Sequence, residues 1–397
     1  MTKISKFIKK YTLLEWLLAC IFLGDNGWWF LWGYGLSGYV WMACALLVIL
    51  MMRKKVIHSR NLGAVFLSFM YFVLFQIVLS GGFHISSVLI SILLAVCCQL
   101  SLKQSVSVLE LLTHYVAMTV AISLPAWVVH QFIYPLPMLG EIDIGMLKTG
   151  VPGSVIMENH GLFVMSKGVF AAYRFYGPFD EPGVLGTLAP LLLWANNYNF
   201  KKIENVIIFI GSLCTFSMAF YILFIVGVFL KSGLSVKKIF LGLVIILASA
   251  FIMVNLFSAN EGFQQVVVNR FVNYEDYGTD HRTTYDVNLY WEQFMESSDV
   301  IFGKGGDYMQ NEFGGGGASY KNFIIEYGIV GVIILIFAYL SMSMRRNKFV
   351  YLTLFLFLLS FLQRPYMFTG WQVLLFAITI KTGELYADSN VRNVRHV

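Results

Sequence analysis

Charged side chains are scarce in this sequence. Only 13% of its 397 residues are Asp, Glu, Lys or Arg, whereas soluble domains contain roughly a quarter. Hydrophobic residues make up 58% of the chain, and the mean hydropathy is +0.71. This balance excludes an ordinary soluble globular protein and is typical of a chain that crosses a membrane many times.

Cysteine is also sparse, and the sequence lacks the common energy-coupling and metal motifs. The five cysteines all fall inside apolar runs without CxxC spacing: Cys20, Cys44, Cys97, Cys98 and Cys214. This pattern argues against a disulfide framework and against a zinc site. Neither a Walker glycine loop nor an HExxH helix occurs, which excludes an ATP-driven pump and a zinc protease. We therefore expect no cofactor, no metal and no nucleic-acid partner.

Basic residues mark one side of the predicted membrane topology. Clusters of Lys and Arg recur at 3–10, 53–60, 103, 201–202, 231–238 and 345–348. Because short basic loops stay in the cytoplasm, each interval between clusters should hold an outward and a returning helix. The predicted spans are 12–33, 38–52, 61–80, 85–101, 106–132, 183–200, 204–216, 218–230, 239–257, 320–342, 349–361 and 370–381.

The sequence thus predicts an all-α polytopic membrane protein, one domain over 1–397 with about twelve transmembrane helices and both termini in the cytoplasm. One long tilted helix over 204–230 is the alternative, and it would invert every later loop.

Two extracytoplasmic loops, 133–182 and 258–319, are unusually long, and loops of such length are commonly functional. In the second loop, apolar side chains recur near helical spacing: Tyr285, Leu289, Trp291 and Phe294. The spacing predicts an amphipathic helix over about 282–296 that lies on the bilayer or caps a cavity.

Arginines and carboxylates stand at the predicted outer membrane boundary. Arg174 precedes Asp180 and Glu181 in a turn-forming run, and Arg282 lies in the second loop beside His281. A guanidinium fork suits the paired oxygens of a diphosphate, although an arginine near a boundary can also simply reach lipid headgroups. The two carboxylates suit either a general base toward a sugar hydroxyl or ion pairs with Arg174, and His281 is an alternative base.

The order of these features resembles the bacterial O-antigen polymerase and O-antigen ligase superfamily, with its Wzy-type and WaaL-type branches. The matching segments are the R-x-x-G-x-F-x-E-P-x-x-L-G run Arg174–Gly186, the T-x-S motif Thr215–Ser217, Arg282–Asp286 followed by Gly303–Gly305, and Ser319–Asn322 leading to Gly328–Gly331. The resemblance covers most of residues 170–370, whereas the first 130 residues match only in being hydrophobic.

This resemblance implies a GT-C-like, metal-independent, inverting glycosyltransferase that uses polyprenyl-diphosphate-linked glycans at the outer face of the inner membrane. The chain departs from the family at two places. Lys321 precedes Asn322 where the ligase branch commonly has histidine, and Met218 follows the T-x-S motif where the family often has arginine. The first departure favours the polymerase branch over the ligase branch.

We therefore expect a polymerase for O-antigen or capsule that moves a growing glycan from undecaprenyl diphosphate onto a lipid-linked repeat unit. Its partners would be the undecaprenyl-diphosphate-linked oligosaccharide, the bilayer, a chain-length regulator and a flippase. The residues expected at its periplasmic site are Arg174 and Arg282 on the diphosphate, Glu181 and Asp180 as base candidates, and Arg270, His281, Lys304, Tyr320, Asn322 and Arg364 as substrate-binding residues.

Two other functions remain open at this point. An O-antigen ligase would perform the same chemistry with lipid A core as acceptor. A flippase or transporter would also have about twelve spans, but should show internal symmetry and ionisable residues near the midplane of the bilayer.

Overall fold

The computed structural model describes residues 10–56, 85–145, 152–167, 174–232, 244, 285–306, 308–314, 319–343, 347–365, 367 and 369–394. The predicted span 61–80 lies outside these residues, as does 239–257 apart from residue 244. The site candidates Arg270, His281 and Arg282 lie outside them as well.

The described chain is mostly helical. Its helices are α1 (Leu13–Asp25), α2 (Trp29–Trp32), α3 (Ser37–Val56), α4 (Ile85–Cys98), α5 (Leu102–Phe132), α6 (Pro182–Ala195), α7 (Ile203–Leu213), α8 (Met218–Ser232), α9 (Tyr285–Met295), α10 (Tyr308–Phe313), α11 (Tyr320–Ser343), α12 (Lys348–Gln363) and α13 (Gly370–Val394). Every predicted span within the described residues overlaps one of these helices. The alternative of one helix over 204–230 is wrong, because α7 and α8 are separate helices joined by a turn at 214–217.

Three described helices are long and apolar enough to cross a membrane. They are the segment Ser37–Lys54 of α3, the whole of α5 and the whole of α11. Shorter apolar helices surround them, namely α1, part of α4, α6, α7, α8 and α12. The structure is therefore compatible with a helical membrane protein.

Side-chain contacts give the helices around α6 two distinct ends. At the start of α6, Glu181 forms an ion pair with Arg364, which follows α12. At the end of α6, the Trp194 indole donates to the Thr353 hydroxyl over 2.8 Å and stacks on Phe349 with ring centroids 4.9 Å apart. Since α12 runs from Lys348 to Gln363, α6 and α12 are antiparallel neighbours. We call the end with Arg174, Glu181 and Arg364 the arginine end.

The opposite end carries a group of lysines, and we call it the lysine end. Asn196, which follows α6, donates its side-chain amide to Thr113 in the first half of α5 over 2.8 Å. The short helix α7 returns the chain to the arginine end, and α8 leads back to the lysine end. The lysines placed there are Lys103, Lys201, Lys202, Lys231 and Lys348.

The first long loop contains an antiparallel sheet, which the expectation of an all-α protein missed. Its strands are β1 (Gly140–Asp143), β2 (Ile156–Asn159) and β3 (Val164–Ser166), in the order β1-β2-β3. Asn159 accepts the Gly161 amide over 2.8 Å and so closes the tight turn between β2 and β3. Met157 of β2 and Val164 of β3 are buried in the main hydrophobic core together with residues of the helices. Trp29 of α2 fastens the turn by donating to the Gly161 carbonyl over 2.8 Å.

The described residues 285–306 and 308–314 of the second long loop fold against the start of α11. A helix, α9, occupies most of the predicted range 282–296. Its buried face carries Val287 and Phe294, which pack with Met309 and Ile325. Tyr285 and Leu289, two of the four side chains that suggested the helix, are instead 79% and 51% exposed.

Candidate functional site at the arginine end

The run Arg174–Gly186, which we call the first motif, forms a rigid segment that leads into α6. Phe175 and Phe179 are fully buried, and the Phe175 amide donates to the Cys214 carbonyl over 2.9 Å. Gly177 turns the chain with φ of 62°, a conformation that glycine adopts without steric cost. Pro182 then occupies the first turn of α6, where its missing N–H leaves no helix hydrogen bond unmade. The polar side chains of this segment are therefore held on a fixed backbone.

Arg174 joins this segment to the turn between α7 and α8. Its Nε donates to the Thr215 carbonyl over 2.9 Å, and its Nη2 lies 3.5 Å from the Phe216 carbonyl. Phe216 has a left-handed backbone with φ of 49°, and the Thr215 hydroxyl donates to the Ser212 carbonyl over 2.7 Å. The predicted T-x-S motif is thus a well-bonded turn that binds the arginine of the first motif.

Glycine allows the same turn to approach α6 closely. A Cβ on Gly186 would overlap the Ser217 side chain and lie 3.5 Å from the Thr215 hydroxyl. The first and second motifs therefore pack directly against each other at the start of α6.

Arg364 also reaches the start of α6. Its guanidinium forms an ion pair with the Glu181 carboxylate, and the two side chains are 12% and 30% exposed. It also lies over Gly183, where an added Cβ would be 2.8 Å from the guanidinium carbon and 2.9 Å from Nε. A guanidinium buried in this way contacts the protein rather than lipid headgroups. Glu181 therefore pairs with Arg364, an arrangement that the sequence alone did not predict.

These contacts bring two guanidinium groups to the first turns of one helix. Gly183 lies under Arg364, and Gly186 lies under the turn that binds Arg174. Three residues of helix separate the two glycines, or about 4.5 Å along the axis. The positive end of the helix dipole adds to the field of the two arginines. Glu181, and Asp180 beside it, are the carboxylates of this region, so it combines anion-binding groups with proton acceptors.

The motif around Lys304 meets the motif around Gly328. The Lys304 amide donates to the Ile325 carbonyl over 2.8 Å, and the Gly305 amide to the Glu326 carbonyl over 2.9 Å. Gly328 interrupts α11 with φ of 66° and ψ of −178°, and a Cβ there would lie 2.6 Å from the carbonyl carbon of Phe302. The Lys304 ammonium forms an ion pair with Asp299, which raises the pKa of Lys304. These glycines hold the segment 301–305 against α11.

Tyr320 and Asn322 stand on the first turn of α11. Asn322 is buried, and the next residue, Phe323, packs on Phe361 with ring centroids 5.0 Å apart. Phe361 is three residues before Arg364, so Asn322 lies at the arginine end. Tyr320 instead packs edge-on against Trp291 of α9, with ring centroids 6.1 Å apart.

The structure thus brings Arg174, Asp180, Glu181 and Arg364 to the start of α6 and places Asn322 at the same end. The pairing of Glu181 with Arg364 is the main feature that sequence reasoning missed. The only signal for it in the sequence is Gly183, which leaves room for a large neighbour above the helix. Among the described residues, no group of three or more His, Cys, Asp or Glu side chains is arranged to hold a metal ion.

Comparison of the chain with protein-family models, with curated proteins and with solved structures finds no match.

Proposed function

We propose that the chain is a membrane glycosyltransferase of the O-antigen polymerase type, with its reaction centre at the arginine end. The observation that carries the proposal is the convergence of Arg174, Glu181 and Arg364 on the first turns of α6. Arg364 is far in the sequence from the other two residues, which both belong to the motif that carries the family resemblance.

In the proposed reaction, a sugar hydroxyl of the acceptor repeat attacks the anomeric carbon of the donor glycan. The new C–O bond forms as the bond from that carbon to the diphosphate breaks, and undecaprenyl diphosphate leaves with the electron pair. The hydroxyl proton passes to a carboxylate, for which Glu181 and Asp180 are the candidates. Attack opposite the leaving group inverts the anomeric configuration.

The arginines would stabilise the charge that develops on the leaving diphosphate. A guanidinium already fixed by Thr215 or by Glu181 needs little rearrangement as the reaction proceeds, and such preorganised donors supply much of the catalysis in acyl and phosphoryl chemistry. Removal of one such donor typically slows a reaction by on the order of 100-fold. Arg282, Arg270, His281 and Lys304 remain proposed contributors from the second loop.

The distribution of charge supports an enzyme over a transporter. Glu15 is the only Asp, Glu, Lys or Arg that is buried within the described residues, and it caps the start of α1 through Thr12. A transporter would instead be expected to hold ionisable side chains near the bilayer midplane. Arg174, Glu181 and Arg364 gather at one end of the helices, as suits a substrate that stays in the outer leaflet.

The proposed orientation of the protein in the membrane follows from the basic residues at the lysine end. With basic loops in the cytoplasm, about twelve spans would place both termini there and the arginine end in the periplasm of a bacterial inner membrane. A GT-C-like arrangement of helices belongs to the same proposal.

Deletion of the gene tests this function against its alternatives. Loss of a polymerase should leave single repeat units on the surface acceptor. Loss of a ligase should leave none, and loss of a flippase should trap the lipid-linked unit on the cytoplasmic side. Complementation with Arg364→Lys should fail to restore long polymer because an ammonium cannot replace the fork, whereas the control Arg53→Lys, an exposed arginine near the end of α3, should restore it. Full-length polymer in the deletion strain would refute the proposal.

A further inference from the structure

A basic cavity opens at the lysine end, remote from the arginine end. It is formed by residues 196–202, which connect α6 to α7, together with Lys231 from the last turn of α8, and its volume is about 640 Å³. Lys201 and Lys202 lie on the connecting segment, so three lysines surround the cavity.

One wall of the cavity is an immobilised tyrosine. The Tyr198 ring packs edge-on against Trp194 and Phe224, with ring centroids 6.2 Å and 5.4 Å away. A Cβ on Gly227 would lie 3.1 Å from the ring carbon that bears the hydroxyl, so this glycine admits the tyrosine between α6 and α8. Tyr198 is therefore fixed by packing on several sides.

The fixed tyrosine in turn positions Lys231. The Lys231 ammonium lies 5.7 Å from the centre of the Tyr198 ring and donates to the Asn197 carbonyl. A cation held over an aromatic face is oriented before any ligand arrives, which lowers the entropic cost of binding an anion. The carboxylate of Glu204, on α7, lies 3.9 Å from the His114 ring of α5.

Exposed apolar side chains adjoin the three lysines. Phe200, in the cavity wall, is 41% exposed, and Ile203, at the start of α7, is 64% exposed. A ligand that satisfies both features carries an anionic group for the lysines and a hydrocarbon part for these side chains. A soluble phosphate provides only the first.

We propose that this cavity binds the phosphate headgroup of an anionic phospholipid in the leaflet at the lysine end. Lys201, Lys202 and Lys231 engage the phosphate, and Phe200 and Ile203 contact the first part of an acyl chain. The site is separate from the proposed glycosyl transfer, and its test does not depend on that activity.

Lipid retention in native mass spectrometry provides the test. The full chain is placed in nanodiscs of phosphatidylcholine with phosphatidylglycerol, released into detergent, and scored for bound phosphatidylglycerol. The variant Lys201→Gln/Lys202→Gln/Lys231→Gln should bind on the order of 100-fold more weakly, from about fivefold per lysine. The control Lys54→Gln/Lys103→Gln/Lys348→Gln removes three exposed lysines that lie outside the cavity and should retain the lipid.

Two further arms fix the interpretation. Inorganic phosphate added to the wild type in pure phosphatidylcholine nanodiscs should not raise its melting temperature. If phosphate did raise it, and the variant Lys201→Gln/Lys202→Gln/Lys231→Gln lost this effect, the ligand would be a soluble phosphate and the lipid assignment would be wrong. Equal loss of phosphatidylglycerol from both triple variants would show general surface attraction and overturn the site. The single variant Lys231→Gln changes only one side chain and serves if a triple variant is unstable. It should bind phosphatidylglycerol about fivefold more weakly than the wild type.

Discussion

Replacing Gly183 by alanine is predicted to disable the arginine end without changing any charged residue. The new methyl group would overlap the Nη2 nitrogen of Arg364 and lie 2.8 Å from its guanidinium carbon, where ordinary contact begins at 3.4 Å. The guanidinium must therefore retreat by more than 0.6 Å, the difference of these two values, or turn away from Glu181.

The size of the effect follows from this displacement. Overpacking of this kind costs about 1–3 kcal/mol, and alanine in a helix recovers about 1 kcal/mol over glycine. The net loss of stability should therefore be about 0–2 kcal/mol. Activity is more sensitive, since a misplacement of about 1 Å in a reaction centre can cost on the order of 100-fold. We expect polymerisation to fall by between about 10-fold and 100-fold.

Gly38 provides a matched control for this substitution. It is the second residue of α3 as Gly183 is the second residue of α6, and a Cβ there would meet nothing within 4 Å. Polymer length on gels and the melting temperature of the purified protein are measured for both alanine variants. The control should match the wild type in both. Normal polymer from Gly183→Ala would refute the proposed role of Arg364 above this helix.

Three further predictions concern other parts of the molecule. Gly328→Ala should destabilise the protein by about 3 kcal/mol or more in denaturation experiments, because the Gly328 φ is 66° and the new Cβ would lie 2.6 Å from the Phe302 backbone. An unchanged melting temperature would contradict the close packing at this position. The ion pair with Asp299 raises the pKa of Lys304, so the stability that this pair gives the folded protein is fully present below the ordinary lysine pKa and is lost as the pH rises through the raised value. Since the two side chains are 34% and 41% exposed, Asp299→Asn should lower the free energy of unfolding by less than about 1 kcal/mol at neutral pH. A larger loss would show that the pair has another function. Polymerisation by the purified protein should survive EDTA, because the proposed charge stabilisation comes from arginines, and loss of activity that Mg²⁺ restores would contradict this.

The sequence predicted where the helices lie along the chain better than which helices pack against each other. Apolar runs and basic clusters located α3, α5 and α11, because hydropathy is a property of each segment by itself. The first motif likewise placed Arg174 and Glu181 next to the start of α6. The partner of Glu181 could not be predicted in this way, since Arg364 reaches it only because α6 and α12 pack as antiparallel neighbours.

Two local features show why the remaining structure was not predicted. Strands β1 to β3 contain only three or four residues each, too few for alternation to stand out against the surrounding loop. In α9 the face toward Ile325 carries Val287 and Phe294, while Tyr285 and Leu289 give the same helical period on an exposed face. Periodicity indicates a helix, but the partner that packs on it decides which face is buried.

The proposed function is tested most directly by reconstitution of the purified protein in liposomes with its undecaprenyl-diphosphate-linked repeat unit. We expect polymer longer than one repeat, with release of undecaprenyl diphosphate for each bond formed. Arg174→Lys and Arg364→Lys should both fail under conditions in which Arg53→Lys succeeds. Movement of the intact lipid-linked unit across the bilayer without any glycosidic bond, or full activity of both site variants, would contradict it.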